Sequence, residues 1–103
     1  MARIVILGGA ESGIGAAVLA KVKGFDVFLS DNGKIKEEYA ATLRKWDIPY
    51  EEGGHSPSLI LNADEVVKSP GIPQNAPMVK ALREAGIGII SEIEFAGRYD
   101  RAK

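Results

Sequence analysis

The residues best suited to bind a ligand follow the first apolar run of the chain. Residues 4–7 are β-formers and predict a buried parallel strand, which ends at two glycines. Ser12 is expected to cap a helix that begins near Gly13, whose small first-turn residues let the helix lie close to the strand. The first N–H groups of a helix have no partner within it and lie at the positive end of its dipole. This loop therefore predicts an anion site, and a phosphate-bearing ligand, above the carboxyl end of the first strand.

The loop departs from the dinucleotide-binding pattern G-x-G-x-x-G. Counting from Gly8, Ala10 stands where the second glycine normally lets a pyrophosphate approach the backbone. Glu11 adds a carboxylate beside the expected anion, which does not favour binding unless its side chain points away. From the loop alone, an ordinary strand-to-helix turn that binds nothing is an equal alternative.

Two polar residues come at the end of the second predicted strand. Asp31 stands where a carboxylate can accept a hydrogen bond from a ribose hydroxyl, or from a base N–H, of a nucleotide on the first loop. Asn32 can hydrogen-bond a base edge. The sequence Asp31-Asn32-Gly33 is also typical of a plain turn, so both interpretations stay open.

A third turn, and the lone histidine, complete the candidates. Ser69 and Gly71, in a Ser-Pro-Gly turn, offer a hydroxyl and an accessible backbone. His55 is the only histidine, and no second histidine or paired carboxylate accompanies it, so a loop role is expected rather than catalysis. The chain also lacks cysteine and the G-x-x-x-x-G-K-[ST] loop. The sequence thus predicts a binding domain with no catalytic residue and no metal site of its own.

The elements that must position these residues alternate along the chain. Strands are predicted at residues 4–7, 25–30, 48–51, 63–68 and 87–90, and helices at 13–23, 34–46, 56–62, 76–85 and from 91 onward. This alternation predicts an α/β fold, Rossmann-like and doubly wound, with a five-stranded parallel sheet flanked by helices. Loops 8–13, 31–34 and 69–73 would then meet at one sheet edge, where such folds bind ligands. Trp46, Phe25 and Phe28 are expected in the core, and Ser91 to Glu94 reads as a capping box.

Composition limits the classes of function. With 103 residues there is room for one domain with a real core. A net charge of −1 without a basic cluster gives no electrostatic footprint for nucleic acid. The absence of a signal peptide and of a membrane-length apolar run predicts a cytoplasmic protein that does not act in a membrane.

Four segments together resemble a known family. Residues 6–15, 29–31, 68–73 and 90–94 resemble the Mur ligases of peptidoglycan synthesis, and the match is closest to the first domain of the D-glutamate-adding members. The Ser-Pro-Gly-Ile-Pro turn, followed some distance later by Ser-Glu-Ile-Glu, is the most specific part. The resemblance implies a three-domain enzyme whose first domain holds the UDP part of UDP-MurNAc-L-Ala. The central domain would bind ATP and Mg²⁺, and the last would help bind D-glutamate for amide formation through an acyl phosphate.

The resemblance also implies roles for individual residues. The backbone of residues 10–12 and the Ser12 hydroxyl would hold the diphosphate, Asp31 and Asn32 would face uracil and ribose, and Ser69 and Gly71 would lie beside the diphosphate-sugar end. The UDP-binding set implied is Ala10, Glu11, Ser12, Asp31, Asn32, Ser69 and Gly71. Glu11 stands where a relative has an apolar residue against the base, and Lys34 near the position of an arginine beside the uracil.

The resemblance further implies a division of the chain. Residues 1–92 would form the UDP-sugar-binding domain, and residues 93–103 the start of a helix or linker to an ATP-binding central domain. A first domain on its own is expected to lack ligase activity and to hold no cofactor. The main alternative is a small NAD(H)-binding domain, regulatory or part of a dehydrogenase, which Asp31 suits and Ala10 does not. The third hypothesis is an interaction module that binds no ligand.

Overall fold

A computed structural model describes residues 2–99 of the chain as a five-stranded, wholly parallel sheet with the strand order β3-β2-β1-β4-β5. The strands are β1 (Arg3–Leu7), β2 (Asp26–Asp31), β3 (Tyr50–Glu52), β4 (Glu65–Lys68) and β5 (Gly88–Ser91). The helices are α1 (Glu11–Val22), α2 (Glu37–Lys45), α3 (Pro57–Ile60), α4 (Pro77–Glu84) and α5 (Glu92–Arg98). The predicted α/β architecture is confirmed.

The register brings the carboxyl ends of the three middle strands to one level. Leu7, the last residue of β1, pairs with Ser30 of β2 on one side and with Lys68 of β4 on the other. The chain runs outward from β1 through β2 to β3 and then returns to β4 on the opposite side of β1. The order of the strands therefore reverses at β1, which is where a doubly wound sheet opens a crevice for ligands.

The sheet is buried on both faces, which explains the continuous apolar run of β1. Val5, Ile6 and Leu7 are all fully buried. Ile6 belongs to the cluster that includes residues of α1, α2 and α5, whereas Val5 and Leu7 belong to the cluster that includes residues of α3 and α4. Each such side chain contributes about 1.5–3 kcal/mol through burial. This packing fixes the position at which β1 ends and the loop that follows it begins.

The start of α1 differs from the prediction in one respect and agrees in another. Ala10, not Ser12, occupies the N-cap position, and its side chain makes no capping bond. Ser12 lies inside the first turn, and its hydroxyl donates to Glu92 Oε1 at 2.6 Å, so the prediction of Ser12 as the cap is wrong. Close packing at Gly13 is confirmed, because a Cβ there would lie 1.9 Å from the carbonyl oxygen of Gly8.

The region around α2 is shorter than predicted. The helix begins at Glu37 rather than Lys34, and Trp46 is its C-cap, 39% exposed, so the prediction of Trp46 in the core is wrong. Ala40 and Leu43 provide the buried face instead. Phe28 is buried as expected, and Phe25 packs against the edge of the core.

The capping box at α5 is confirmed. The Ser91 hydroxyl accepts from the Glu94 N–H, and the Ser91 N–H donates to Glu94 Oε1, both at 3.0 Å. Such a cap stabilises a helix by about 1 kcal/mol. None of the helices between residues 2 and 99 has the length and apolarity to cross a membrane.

Candidate functional site

A cavity of about 750 Å³ opens at the carboxyl edge of the sheet, within the size range of small-molecule sites. Four loops line it, namely those that follow β1, β2, β3 and β4, together with the start of α4. The lining residues are Gly8, Gly9, Ala10, Asp31, Asn32, His55, Ser69, Gly71, Ile72, Pro73, Asn75, Ala76, Pro77 and Met78. The three loops that the sequence singles out therefore do share one cavity.

The structure brings together five of the seven residues predicted to bind the ligand, namely Ala10, Asp31, Asn32, Ser69 and Gly71. Glu11 and Ser12 do not line the cavity. Ser12 instead borders a separate groove between α1 and α5, where its hydroxyl is bonded to Glu92. Lys34 does not line the cavity either; its exposed amine lies 3.9 Å from Glu52.

Asp31 connects two of the loops. Its Oδ2 accepts from the Gly9 N–H at 2.7 Å, and its Oδ1 accepts from the Gly33 N–H at 2.8 Å. The second contact is the turn-forming role that the sequence Asp-Asn-Gly suggested. Because an ionised carboxylate has about four lone-pair sites, Asp31 keeps acceptor capacity toward the cavity after both backbone bonds are made.

The glycine loop touches the loop that follows β4. Gly8 has φ of +111°, its N–H donates to the Ser30 carbonyl at 2.9 Å, and a Cβ on Gly8 would lie 2.7 Å from the Ser69 Cβ. After this close approach the chain continues through Ala10 into the first turn of α1. The N–H groups of that turn lack intrahelical acceptors. Within residues 2–99, no lysine or arginine lines the cavity. Besides His55, the donors available to an anion there are backbone N–H groups, the Ser69 hydroxyl and the amides of Asn32 and Asn75.

A buried lysine braces the loop that follows β4. Lys68 is 7% exposed, and its Nζ donates to the carbonyl of Ile72 at 2.7 Å and to that of Ser69 at 3.2 Å. The Ile72 N–H closes the turn onto the Ser69 carbonyl at 3.1 Å. The Gly71 N–H has only a 3.3 Å contact with the Ser69 hydroxyl. The turn is thus held in shape, while the Gly71 N–H has only a weak partner and can donate to a ligand in the cavity.

The environment of His55 does not follow from the sequence. Its Nδ1 lies 2.7 Å from the hydroxyl of Ser30, which is fully buried at the end of β2. The same hydroxyl donates to Glu51 Oε2 at 2.8 Å, and Glu51 also accepts from the N–H and the hydroxyl of Ser56. The sequence did contain a signal: His55 follows the predicted third strand, and the loops at the carboxyl ends of parallel strands share one edge of the sheet.

The polar cluster behind the cavity keeps Glu51 ionised. Burial alone raises the pKa of the Glu51 carboxyl, but hydrogen bonds from Ser56 and Ser30 and the charge of nearby His55 outweigh it. The pKa of Glu51 therefore lies below its ordinary value. At neutral pH this side chain is an acceptor only.

Comparison with known proteins relates this chain to the ligases of cell-wall synthesis. A family model described as MurD N-terminal domain matches residues 3–78. The UDP-N-acetylmuramoylalanine--D-glutamate ligase of Bacteroides fragilis is 63% identical over 103 residues, all of this chain and 23% of that protein. The enzyme of the same name from Porphyromonas gingivalis is 56% identical over 99 residues, 96% of this chain and 22% of that protein. The chain thus spans less than a quarter of the length of these relatives.

Solved structures share the fold. A murein peptide ligase from Psychrobacter arcticus aligns with a TM-score of 0.85 at 23% identity, over 95% of this chain and 20% of that one. A pseudomurein peptide ligase type C from Methanothermus fervidus aligns with a TM-score of 0.79 at 29% identity, over 100% of this chain and 21% of that one. None of these comparisons supports the alternative of a nicotinamide-binding domain.

Proposed function

Because the chain belongs to the MurD N-terminal domain family, we propose that it is the substrate-recognition domain of a ligase that adds D-glutamate, and that its cavity holds the uridine diphosphate end of UDP-MurNAc-L-Ala. One observation carries this proposal: the loops that follow β1, β2 and β4 line a single cavity of suitable size at the edge of the sheet where the strand order reverses.

The diphosphate is proposed to lie at the β1 and β4 side of the cavity. Ala10 leads into the first turn of α1, and Gly71 offers its backbone N–H beside the Ser69 hydroxyl. Glu11 and Ser12 do not line the cavity, but they follow Ala10 in the first turn of α1, and we propose that a phosphate beside Ala10 reaches their backbone N–H groups. The Ser12 hydroxyl joins them only if its bond to Glu92 opens, so we assign the contact of Ser12 chiefly to its backbone.

Uracil and ribose are proposed to lie at the β2 side, beside Asp31 and Asn32. Asp31 is fixed by two backbone bonds and retains lone pairs for a ribose hydroxyl or the uracil N3–H. Asn32 supplies an amide to the base edge. A charge-assisted hydrogen bond from Asp31 is worth about 1.5–3 kcal/mol.

The remaining roles belong to the longer protein that the relatives represent. We propose that its other domains bind ATP, Mg²⁺ and D-glutamate, that the whole acts in the cytoplasm, and that the chain alone has no ligase activity. Residues 1–92 form the UDP-sugar-binding domain in this proposal, and residues 93–103 begin the connection to the ATP-binding domain. Phe95, fully buried in the core, anchors the start of that connection to the sheet.

A titration followed by NMR tests the proposal. UDP and UDP-MurNAc-L-Ala are expected to shift the amide signals of residues 8–10, 31–33 and 69–71, with weak affinity because contacts from other domains are missing. NADH serves as the matched competitor, since it carries the same kind of diphosphate on a different base and a longer body. Tighter binding of NADH than of UDP, or shifts confined to the opposite edge of the sheet, would contradict the proposal.

A further inference from the structure

The contacts of the Ser30 hydroxyl bear on which ring nitrogen of His55 carries a proton. A hydroxyl has one proton to donate; the 2.8 Å contact with the ionised Glu51 Oε2 needs it, and the Gly54 carbonyl is farther away at 3.4 Å. The 2.7 Å contact between the Ser30 oxygen and His55 Nδ1 is then a hydrogen bond only if Nδ1 carries a proton and donates it to the hydroxyl oxygen. In neutral imidazole the other nitrogen, Nε2, is consequently an acceptor.

The second ring nitrogen of His55 is available to a ligand. His55 lines the cavity, and its Nε2 has no hydrogen-bond partner among residues 2–99. The adjacent loop, which follows β2, contributes Asp31, another acceptor, and Asn32, whose amide both accepts and donates. On the far side, the loops after β1 and β4 offer N–H groups and the Ser69 hydroxyl, which are donors.

We propose that His55 determines ligand specificity by accepting, at Nε2, a hydrogen bond from a donor on the uridine half of the ligand. This inference rests on the proposed function, because it assigns a residue to the same cavity. Uridine has such donors in the uracil N3–H and the ribose hydroxyls. An ionised diphosphate has none, so the acceptors His55 Nε2 and Asp31 favour the uridine half of the ligand over the diphosphate at this end of the cavity.

The proton position can be measured without any ligand. Long-range ¹H–¹⁵N NMR distinguishes the two neutral tautomers of an imidazole by their nitrogen shifts. Under conditions in which the ring is neutral, we expect the Nδ1-protonated form in the unaltered chain and a shift toward the Nε2-protonated form in Ser30→Ala. An Nε2-protonated ring in the unaltered chain would overturn the inference.

Matched substitutions separate the ligand contact from the structural contact. In His55→Asn the amide reaches the position of Nδ1 and keeps the bond to Ser30, but nothing occupies the position of Nε2. In His55→Gln the longer side chain reaches the position of Nε2. We expect UDP to bind about three- to tenfold more weakly to the Asn variant, in line with one lost hydrogen bond, with partial recovery in the Gln variant.

Ligand analogues identify the donor on the unaltered chain. UDP methylated at N3 lacks the base donor, and 2′,3′-dideoxy-UDP lacks the ribose donors. The analogue that has lost the relevant donor should bind more weakly than UDP to the unaltered chain, and its binding should be insensitive to His55→Asn. If the Asn substitution weakens UDP and both analogues equally, the role of His55 is structural and the inference fails. If UDP itself does not bind, the proposed function fails instead.

Discussion

At the scale of single residues, Asp31 combines a structural role with the proposed recognition of uridine. Its carboxylate holds the Gly9 N–H and the Gly33 N–H at the same time, so it fixes the shape of two cavity loops. We expect Asp31→Asn to keep one of these bonds and to set an amide N–H against the other donor. The free energy of unfolding should fall by about 1.5–3 kcal/mol, and UDP should bind at least about tenfold more weakly.

Asp26→Asn is the control for that change, because Asp26 lies at the opposite end of β2 and pairs with Arg3 at 3.0 Å. It should alter stability only slightly and leave the affinity for UDP unchanged. Urea unfolding and calorimetric titration measure the two quantities. A loss of stability in Asp31→Asn with unaltered UDP affinity would reduce Asp31 to a turn-forming residue.

The ionisation of Glu51 makes the free energy of unfolding depend on pH, and this contribution to stability is lost in acid. Its pKa in the folded chain lies below the ordinary value, so the folded state binds fewer protons there than the unfolded state. The stabilisation is fully present above the ordinary pKa and is lost as the pH falls through the folded pKa. In Glu51→Gln this contribution is absent, so the difference in unfolding free energy between the two proteins should shrink below about pH 5.

Urea unfolding at neutral pH and at several acidic values measures that difference. The unaltered chain should be the more stable at neutral pH, with the curves converging in acid. A difference that is constant across the range would show that the carboxylate contacts of Glu51 do not favour its ionised form in the folded protein.

At the scale of elements, the close packing of α1 against the end of β1 depends on Gly13 and not on Gly15, although both lie in the first turns of the helix. A Cβ at Gly13 would lie 1.9 Å from a backbone oxygen, whereas among the described residues no atom comes within 4 Å of a Cβ at Gly15. Gly13→Ala should therefore destabilise the chain by about 1–3 kcal/mol or more. Gly15→Ala should be neutral or stabilising by up to about 1 kcal/mol, since alanine favours the helix.

The Gly13→Ala and Gly15→Ala variants also test the geometry of the loop after β1, because an alanine at position 13 must push α1 away from Gly8. We expect weaker binding of UDP in the Gly13 variant and unchanged binding in the Gly15 variant. Thermal unfolding and titration of both variants provide the measurement, and equal effects at the two positions would contradict this account of the packing.

Element boundaries show where sequence reasoning succeeds and where it stops. The alternation of apolar runs with helical periods was sufficient to predict the sheet, because both faces of β1 must be covered. The local pattern could not show that the Ser12 hydroxyl bonds to Glu92, a residue 80 positions later. The position of Trp46 could not be predicted from the helical period, because α2 ends at Lys45. Trp46 is the C-cap and does not belong to the buried face of the helix.

At the scale of the whole molecule, the cavity could be predicted in outline but not in detail. Parallel strands end at one edge, so the convergence of the three turns followed from the fold. The contacts of His55 could not be predicted, because they depend on a buried serine of β2 and on a carboxylate of β3. Such a network has no signature in spacing, since its members meet only after β3 pairs with β2.

The common level of Leu7, Ser30 and Lys68 links the architecture to tolerance of insertions and deletions. Adding or deleting one residue within any of the three strands would turn its apolar side chains to the wrong face and displace the loop that follows. Length changes are better tolerated at the opposite rim, where the helices return to the strands, because no cavity loop begins there. We therefore expect insertions and deletions to be tolerated at that rim of the sheet and to disrupt the fold or the cavity within the three strands.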